Sequence, residues 1–265
     1  MRRYLVCTLA VLLPLLPGCV RATRALPPHL VIDDRSLELN GARLTLHLAP
    51  GDAIRRNTLV VYATGDGGWR GKDRAVFTRL ASWGYQVVGF SAPEYLEHLP
   101  GADGTATPAH VGTDYASVVA RAREAFALDG AVRVVLVGVS RGADLAVVAA
   151  GQPRLRDQLE GVVVMGLTRE EEYVHRRRSR TALELYPYLS RIAGVPVALI
   201  QSTRDSYLPA REARALFGAD TPLRAFHAID ARNHSFGGAR EHLYDALRDS
   251  LAWVEVAGGH AGGAS

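Results

Sequence analysis

The sequence predicts an α/β fold with a mostly parallel central sheet and flanking helices. Short β-branched apolar runs alternate with segments of helical character along most of the 265 residues. Glycine-rich or polar segments follow several of these runs, at the positions where ligands bind in open α/β sheets. With 48% hydrophobic and 22% charged residues, the composition fits one domain of ordinary core size.

The first residues have the pattern of an export signal. Met1-Arg2-Arg3 precedes an apolar stretch, residues 4–16, that is too short to span a bilayer comfortably. Leu16-Pro17-Gly18-Cys19 then resembles a lipobox, in which cleavage before Cys19 leaves a thiol for lipidation. We therefore expect a signal peptide over residues 1–18 and an exported, periplasmic lipoprotein held at a membrane surface. Plain secretion and an uncleaved anchor are the alternatives.

We expect a linker over residues 19–28, the folded domain over residues 29–256 and a flexible tail over residues 257–265. Cys7 and Cys19 are the only cysteines, so the processed chain can form no internal disulfide. Arginine supplies nearly all the positive charge behind the net value of +4, and no basic run is interleaved with aromatics. We expect no nucleic-acid partner, no metal and no cofactor. The oligomeric state is left open.

The first half of the domain predicts a hairpin followed by strand and helix units. Asn40-Gly41 separates two alternating segments, residues 30–40 and 42–48, which is a strong hairpin signal. The following pattern predicts strands at 58–63 and 86–90 and helices at 73–83 and 111–128. Pro93, Pro100 and Pro108 indicate an irregular loop over 91–110.

A glycine-rich segment follows the strand at 58–63. In Thr64-Gly65-Asp66-Gly67-Gly68-Trp69, exposed backbone N–H groups are expected at the carboxyl edge of the sheet. Gly65 and Asp66 are candidate hydrogen-bond donors to a reacting oxygen, and Trp69 is a candidate substrate contact. The alternative is that the glycines only form a turn and Trp69 only packs.

The segment Gly138-Val139-Ser140-Arg141-Gly142 has the form of a nucleophile elbow. It lies between a β-branched strand and a helix-forming segment, and glycine stands two residues before and two after the serine, where a tight turn leaves no room for side chains. Ser140 is the candidate nucleophile. The N–H of Arg141 and one from Gly65 or Asp66 would hold the oxyanion. The alternative is an ordinary strand-to-helix turn.

The second half predicts further strands at 161–167, 195–200 and 223–229, then a closing helix at 239–254. The arginine-rich stretch 168–193 is predicted to form a small cap insertion over the sheet edge. Within it, Arg176, Arg177 and Arg178 are candidate contacts for an anionic substrate, with a solvated face as the alternative reading.

Asp205 follows the strand at 195–200, and His234 follows the strand at 223–229. The order Ser140, Asp205, His234 is the nucleophile, acid and base order of α/β-hydrolases. We therefore expect an α/β-hydrolase fold in which His234 accepts the Ser140 proton and Asp205 orients the ring. Asp144 and Asp230 are rival acids.

Three segments resemble the bacterial virulence protein VirJ family and its AcvB relatives. They are Thr64-Gly65-Asp66-Gly67-Gly68-Trp69, Gly84-Tyr85-Gln86-Val87-Val88-Gly89 and Gly138-Val139-Ser140-Arg141-Gly142-Ala143-Asp144. Arg141 departs from the family pattern, which usually has an aromatic residue there. The resemblance implies an exported α/β-hydrolase, and some members are associated with hydrolysis of aminoacylated phosphatidylglycerol.

These observations lead to an expected activity. We expect a serine ester hydrolase whose substrate is a carboxylic ester, in first place an aminoacyl-phosphatidylglycerol or a related anionic lipid ester. A generic carboxylesterase or lipase and a non-catalytic, secretion-associated binding protein are the alternatives.

Overall fold

The structure of the protein is a computed structural model that describes residues 31–52, 57–99, 107–175 and 179–261. The predicted signal peptide, Cys19 and the predicted linker therefore lie outside the described residues. Within the described ranges, no helix combines the length and apolar character that a membrane crossing needs.

The described chain forms ten strands and eight α-helices. The strands are β1 (Asp33–Leu39), β2 (Ala42–Ala49), β3 (Thr58–Ala63), β4 (Gln86–Phe90), β5 (Arg133–Val139), β6 (Leu159–Met165), β7 (Glu170–His175), β8 (Ser179–Glu184), β9 (Val197–Ser202) and β10 (Arg224–Ile229). The helices are α1 (Gly71–Ser82), α2 (Ala92–His98), α3 (Pro108–Phe126), α4 (Arg141–Ala150), α5 (Pro153–Arg156), α6 (Leu185–Tyr188), α7 (Ala210–Phe217) and α8 (Arg240–Ala261). A 3-10 turn, Leu189–Arg191, follows α6.

Eight strands form one sheet in the order β1-β2-β4-β3-β5-β6-β9-β10. From β4 to β10 every neighbouring pair is parallel, whereas β2 is antiparallel to β1 and β4. The predicted hairpin is present, with Asn40 and Gly41 at φ of 53° and 79° as its tight turn requires. The predicted mostly parallel sheet with flanking helices is therefore confirmed, and the parallel strands align their carboxyl ends at one edge.

The central strands are buried on both faces because helices cover both. Alternate residues of β3 and β5 point to opposite sides, so Leu59 and Leu136 belong to the layer that includes α3 and α4. Val60 and Val137 belong to the other layer, beneath α1 and α8. Such continuous apolar runs are typical of parallel strands buried on both faces.

The predicted loop over residues 91–110 is wrong in part, since α2 and the start of α3 fall within it. Ser91 caps α2 by accepting a hydrogen bond from the Glu94 N–H at 3.4 Å. Pro93 and Pro108 lie in the first turns of their helices, where the missing N–H costs no helical hydrogen bond. The prolines that indicated a loop are thus helix starts.

The predicted cap insertion contains a two-stranded antiparallel hairpin, β7 with β8, followed by α6 and the 3-10 turn. We call β7 and β8 the cap hairpin. Arg176, Arg177 and Arg178, which follow β7 and precede β8 in sequence, lie outside the described residues.

The predicted flexible tail begins too early. Helix α8 continues through Ala261, past residue 257. Gly258 lets this part of the helix pack closely against β6, because any larger residue would place a Cβ 2.4 Å from the carbonyl oxygen of Glu160. The glycine is a site of close helix packing as well as a weak helix former.

Candidate active site

The nucleophile elbow is formed by close approach of the main chain. Ser140 has φ 51° and ψ −123°, a conformation that L-residues adopt only under constraint. A Cβ on Gly138 would lie 2.1 Å from the carbonyl oxygen of Gly142, and a Cβ on Gly142 would lie 2.2 Å from that of Ala63. The hydrogen bond from the Ser140 N–H to the Met165 carbonyl, 2.8 Å, ties the turn to β6. Only glycine fits two residues before and two residues after this serine.

The structure brings Ser140, His234 and Asp205 together. His234 lies in the loop after β10, with Nε2 2.8 Å from Ser140 Oγ and Nδ1 2.7 Å from Asp205 Oδ2. The Asp205 side chain is fully buried, and its Oδ1 accepts the N–H groups of Tyr207 and Leu208 at 2.8 and 3.3 Å. The carboxylate is thus fixed by its own loop and faces the imidazole.

The two rival acids lie elsewhere. The Asp230 side chain is 81% exposed and pairs with Arg204 at 2.8 Å, so it faces solvent. Asp144 on α4 accepts the N–H and hydroxyl of Thr168 at 3.1 and 2.8 Å, which is a structural role at the base of the cap hairpin. Burial raises the pKa of Asp144 to about 6.

The structure distinguishes between the candidate oxyanion donors. Arg141 is the first residue of α4, so its N–H lies at the helix N-terminus next to Ser140. The Gly65 N–H instead donates to Asp73 Oδ1 at 2.9 Å, so Gly65 is wrong as a donor to substrate. Asp66 remains, because its N–H donates to no acceptor among the described residues.

Asp73 is a residue that the sequence analysis missed. Its Oδ1 accepts the Gly65 N–H and also the Tyr62 hydroxyl at 3.2 Å. Burial raises the pKa of Asp73, and the hydrogen bond from Gly65 opposes that rise. The carboxyl holds the glycine-rich loop against the sheet at a point where a Cβ on Gly65 would lie 3.2 Å from Ser140 Cβ.

Trp69 packs against neighbouring aromatic rings and β4. Its ring stacks on His47 at 3.8 Å and meets Phe77 edge-on at 4.8 Å. A Cβ on Gly89 would lie 2.8 Å from the indole, so Trp69 fills space above β4. The assignment of Trp69 as a substrate contact is therefore replaced by the packing interpretation.

The described arginines near the elbow are already paired with acids. Arg141 donates to Asp66 Oδ1 at 3.0 Å and to Glu171 Oε1 at 2.8 Å. Arg169 pairs with Glu212 at 3.4 Å between exposed side chains. The predicted anion contacts Arg176, Arg177 and Arg178 lie outside the described residues.

Two more residues at this edge were not anticipated. Glu171 of β7 is fully buried beside Arg141 and Asp144, and its burial, together with the neighbouring Asp144 charge, raises its pKa to about 9. Tyr207 is 70% exposed and places its ring edge-on to the His234 ring at 4.7 Å. Neither residue belongs to a local motif.

Among the described residues, no group of three acidic, histidine or cysteine side chains is arranged to hold a metal.

Comparison with known proteins agrees with the fold. The chain resembles Est1E from Butyrivibrio proteoclasticus at TM-score 0.62 and 14% identity, covering 83% of this chain and 98% of that one. It resembles the Pyrococcus furiosus esterase Pf2001 at TM-score 0.61 and 14% identity, covering 84% and 90%. Monoglyceride lipase from Saccharomyces cerevisiae, solved with a substrate analogue, matches at TM-score 0.60 and 11% identity, covering 89% and 98%. No curated protein matches the sequence significantly.

Residues 57–178 match the family described as bacterial virulence protein (VirJ). This part of the chain is VirJ-like, and the described chain has an α/β-hydrolase fold. The VirJ-like region contains Asp66, Ser140 and Arg141, together with the base of the cap hairpin. Asp205 and His234 lie beyond it, and their placement rests on the geometry described above.

Proposed function

We propose that this VirJ-like protein is a serine ester hydrolase. The observation that carries the proposal is the continuous hydrogen-bonded chain from Ser140 Oγ through the His234 ring to buried Asp205, with contacts of 2.8 and 2.7 Å. The fold shared with esterases and a lipase supports it. These distances lie within the range in which a base can take a proton from a nucleophile.

The reaction begins when Ser140 Oγ attacks the ester carbonyl carbon and its proton passes to His234 Nε2. Asp205 accepts a hydrogen bond from the His234 Nδ1–H group and stabilises the imidazolium. The negative charge that develops on the carbonyl oxygen is held by the N–H groups of Arg141 and Asp66. When the tetrahedral intermediate collapses, the carbon–oxygen bond to the alcohol breaks and His234 protonates the leaving oxygen.

The second half of the reaction returns the enzyme to its starting state. Water attacks the acyl-serine carbonyl and gives one proton to His234, and the bond to Ser140 Oγ then breaks. His234 returns that proton to the serine oxygen, so the products are an acid and an alcohol.

The substrate that we propose is an aminoacyl-phosphatidylglycerol or a related anionic lipid ester. The resemblance to VirJ proteins supports it, as does the proposed export of the protein to a membrane surface through lipidated Cys19. The guanidinium groups of Arg176, Arg177 and Arg178 have the charge and geometry that pair with the phosphodiester of such a lipid. Lipid found by mass spectrometry on the mature N-terminus at Cys19 would support the anchor, and an unlipidated N-terminus elsewhere would overturn it.

Hydrolysis by the purified protein tests both levels of the proposal. The wild type should cleave a short neutral ester and an aminoacyl-phosphatidylglycerol in vesicles, and Ser140→Ala should cleave neither. Replacing Arg176, Arg177 and Arg178 by glutamine should raise KM for the lipid and leave KM for the short ester unchanged. Arg248→Gln, which changes an exposed arginine of α8, serves as the control. Equal loss on both substrates, or none, would remove the lipid assignment. A folded wild type that cleaves no ester would favour a binding protein.

A further inference from the structure

The Arg141 side chain joins three parts of the site. It follows the nucleophile in sequence, yet its guanidinium lies between Asp66 of the glycine-rich loop and Glu171 of the cap hairpin, at 3.0 and 2.8 Å. The Arg141 side chain is 23% exposed and that of Glu171 is fully buried. An arginine held from two sides in this way has a fixed geometry.

The ion pair between Arg141 and Asp66 links the two residues whose N–H groups are the proposed oxyanion donors. Asp66 lies in a turn with three glycines, and glycine leaves the backbone free to adopt many conformations. The N–H of Gly68 donates to the Gly65 carbonyl at 3.0 Å across this turn, and Asp73 holds the Gly65 N–H. The Asp66 side chain then adds a side-chain contact from this turn to α4.

Glu171 fixes the other side of the guanidinium. It faces Asp144 on α4, and Asp144 binds Thr168 at the base of the cap hairpin. The cap hairpin, the elbow helix and the glycine-rich loop therefore meet in one polar network that ends at Asp66, a proposed oxyanion donor.

We infer that Arg141, through its ion pair with Asp66 and its hydrogen bond to Glu171, positions the Asp66 N–H for the oxyanion. This inference rests on the proposed ester hydrolysis. Arg141 and Asp66 donate through their backbones, so their side chains act as positioning groups. Removing one donor from an oxyanion hole typically lowers kcat by about 10²–10³. A donor that is present but misaligned should lower kcat by less, about tenfold.

A double-mutant cycle with Asp66→Ala and Arg141→Met tests the inference. Each change should lower kcat on a short neutral ester about tenfold with KM within about twofold, and the double variant should be no worse than either. Affinity for a trifluoromethyl ketone should fall by the same factor as kcat/KM, because this inhibitor forms an oxyanion on Ser140. Asp66→Asn, which keeps an acceptor oxygen, should recover most of the rate. Asp220→Ala, which breaks the distant Arg214–Asp220 pair, should change nothing.

Asp66 is exposed, so its substitution should leave the melting temperature unchanged and keep the test valid if Arg141→Met is unstable. An unchanged kcat in Asp66→Ala, or additive losses in the cycle, would overturn the inference while the wild type still hydrolyses ester. A wild type without esterase activity would overturn the proposed function and this inference together.

Discussion

The elbow and the cap hairpin lie side by side at the carboxyl edge of the sheet, but they are held in different ways. The elbow is fixed by backbone contacts so close that Gly138 and Gly142 admit no side chain. The cap hairpin is joined to it by the buried Glu171, which faces Arg141 and Asp144. Steric exclusion tolerates no substitution, whereas a buried carboxyl contact depends on protonation and on its partners.

The largest effect should come from the acid that supports the elbow serine through His234. Asp205→Asn should keep the fold but lower kcat by about 10⁴, because an amide can donate a hydrogen bond where His234 needs an acceptor. Ester hydrolysis by the purified variant measures this loss. Asp230→Asn is the matched control and should retain near-full activity, since Asp230 faces solvent. A larger loss in Asp230→Asn at equal stability would reverse the assignment.

Adding one methyl group should break the elbow itself. Gly142→Ala places a Cβ 2.2 Å from the Ala63 carbonyl oxygen, and overpacking of this kind costs about 3 kcal/mol. Urea denaturation should show this drop in the free energy of unfolding, together with loss of activity. Gly130→Ala meets nothing within 4 Å and should change stability by less than about 0.5 kcal/mol. Equal stability of the two variants would mean that the elbow is less tightly packed than described.

The cap hairpin should respond to pH where the elbow does not. Burial raises the pKa of Glu171 in the folded state, so the folded protein holds a proton that the unfolded chain has released above its ordinary carboxyl pKa. The contribution of Glu171 to the free energy of unfolding is therefore complete at acid pH. It is lost as pH rises toward the raised pKa, by up to about 1.4 kcal/mol per pH unit.

Glu171→Gln tests this dependence. The variant, whose side chain stays neutral, should lose this fall of the free energy of unfolding with pH. It should therefore gain stability relative to wild type between pH 6 and 9, as measured by urea denaturation. Glu170→Gln, on the exposed neighbouring residue, should keep the wild-type slope. Parallel pH profiles for wild type and Glu171→Gln would contradict the buried, protonated carboxyl.

The smallest effect should come from the exposed ring beside His234. Tyr207→Ala should raise KM about threefold to tenfold for esters with a bulky apolar group, because an aromatic contact contributes about 0.5–1.5 kcal/mol. KM for an acetate ester and kcat for both should stay within about twofold. Leu216→Ala, another exposed apolar side chain, is the control. Unchanged KM for the bulky ester would show that Tyr207 does not contact substrate.

The same difference explains what the sequence could predict. The elbow, the acid loop and the histidine loop were predictable because strand endings and local glycine spacing mark Ser140, Asp205 and His234. The engagement of Gly65 by Asp73 and the link from Arg141 to Glu171 were not, because each joins residues on separate elements. Helix α2 did carry a local signal, Ser91 with Glu94 three residues later, that the prolines obscured.

Covalent labelling of Ser140 tests the central claim most directly. A fluorophosphonate probe followed by peptide mass spectrometry should modify the wild-type protein at Ser140 and at no other serine, and His234→Ala should label far more slowly because the base is gone. A folded wild type that stays unlabelled, or that labels equally fast without His234, would contradict nucleophilic catalysis by Ser140.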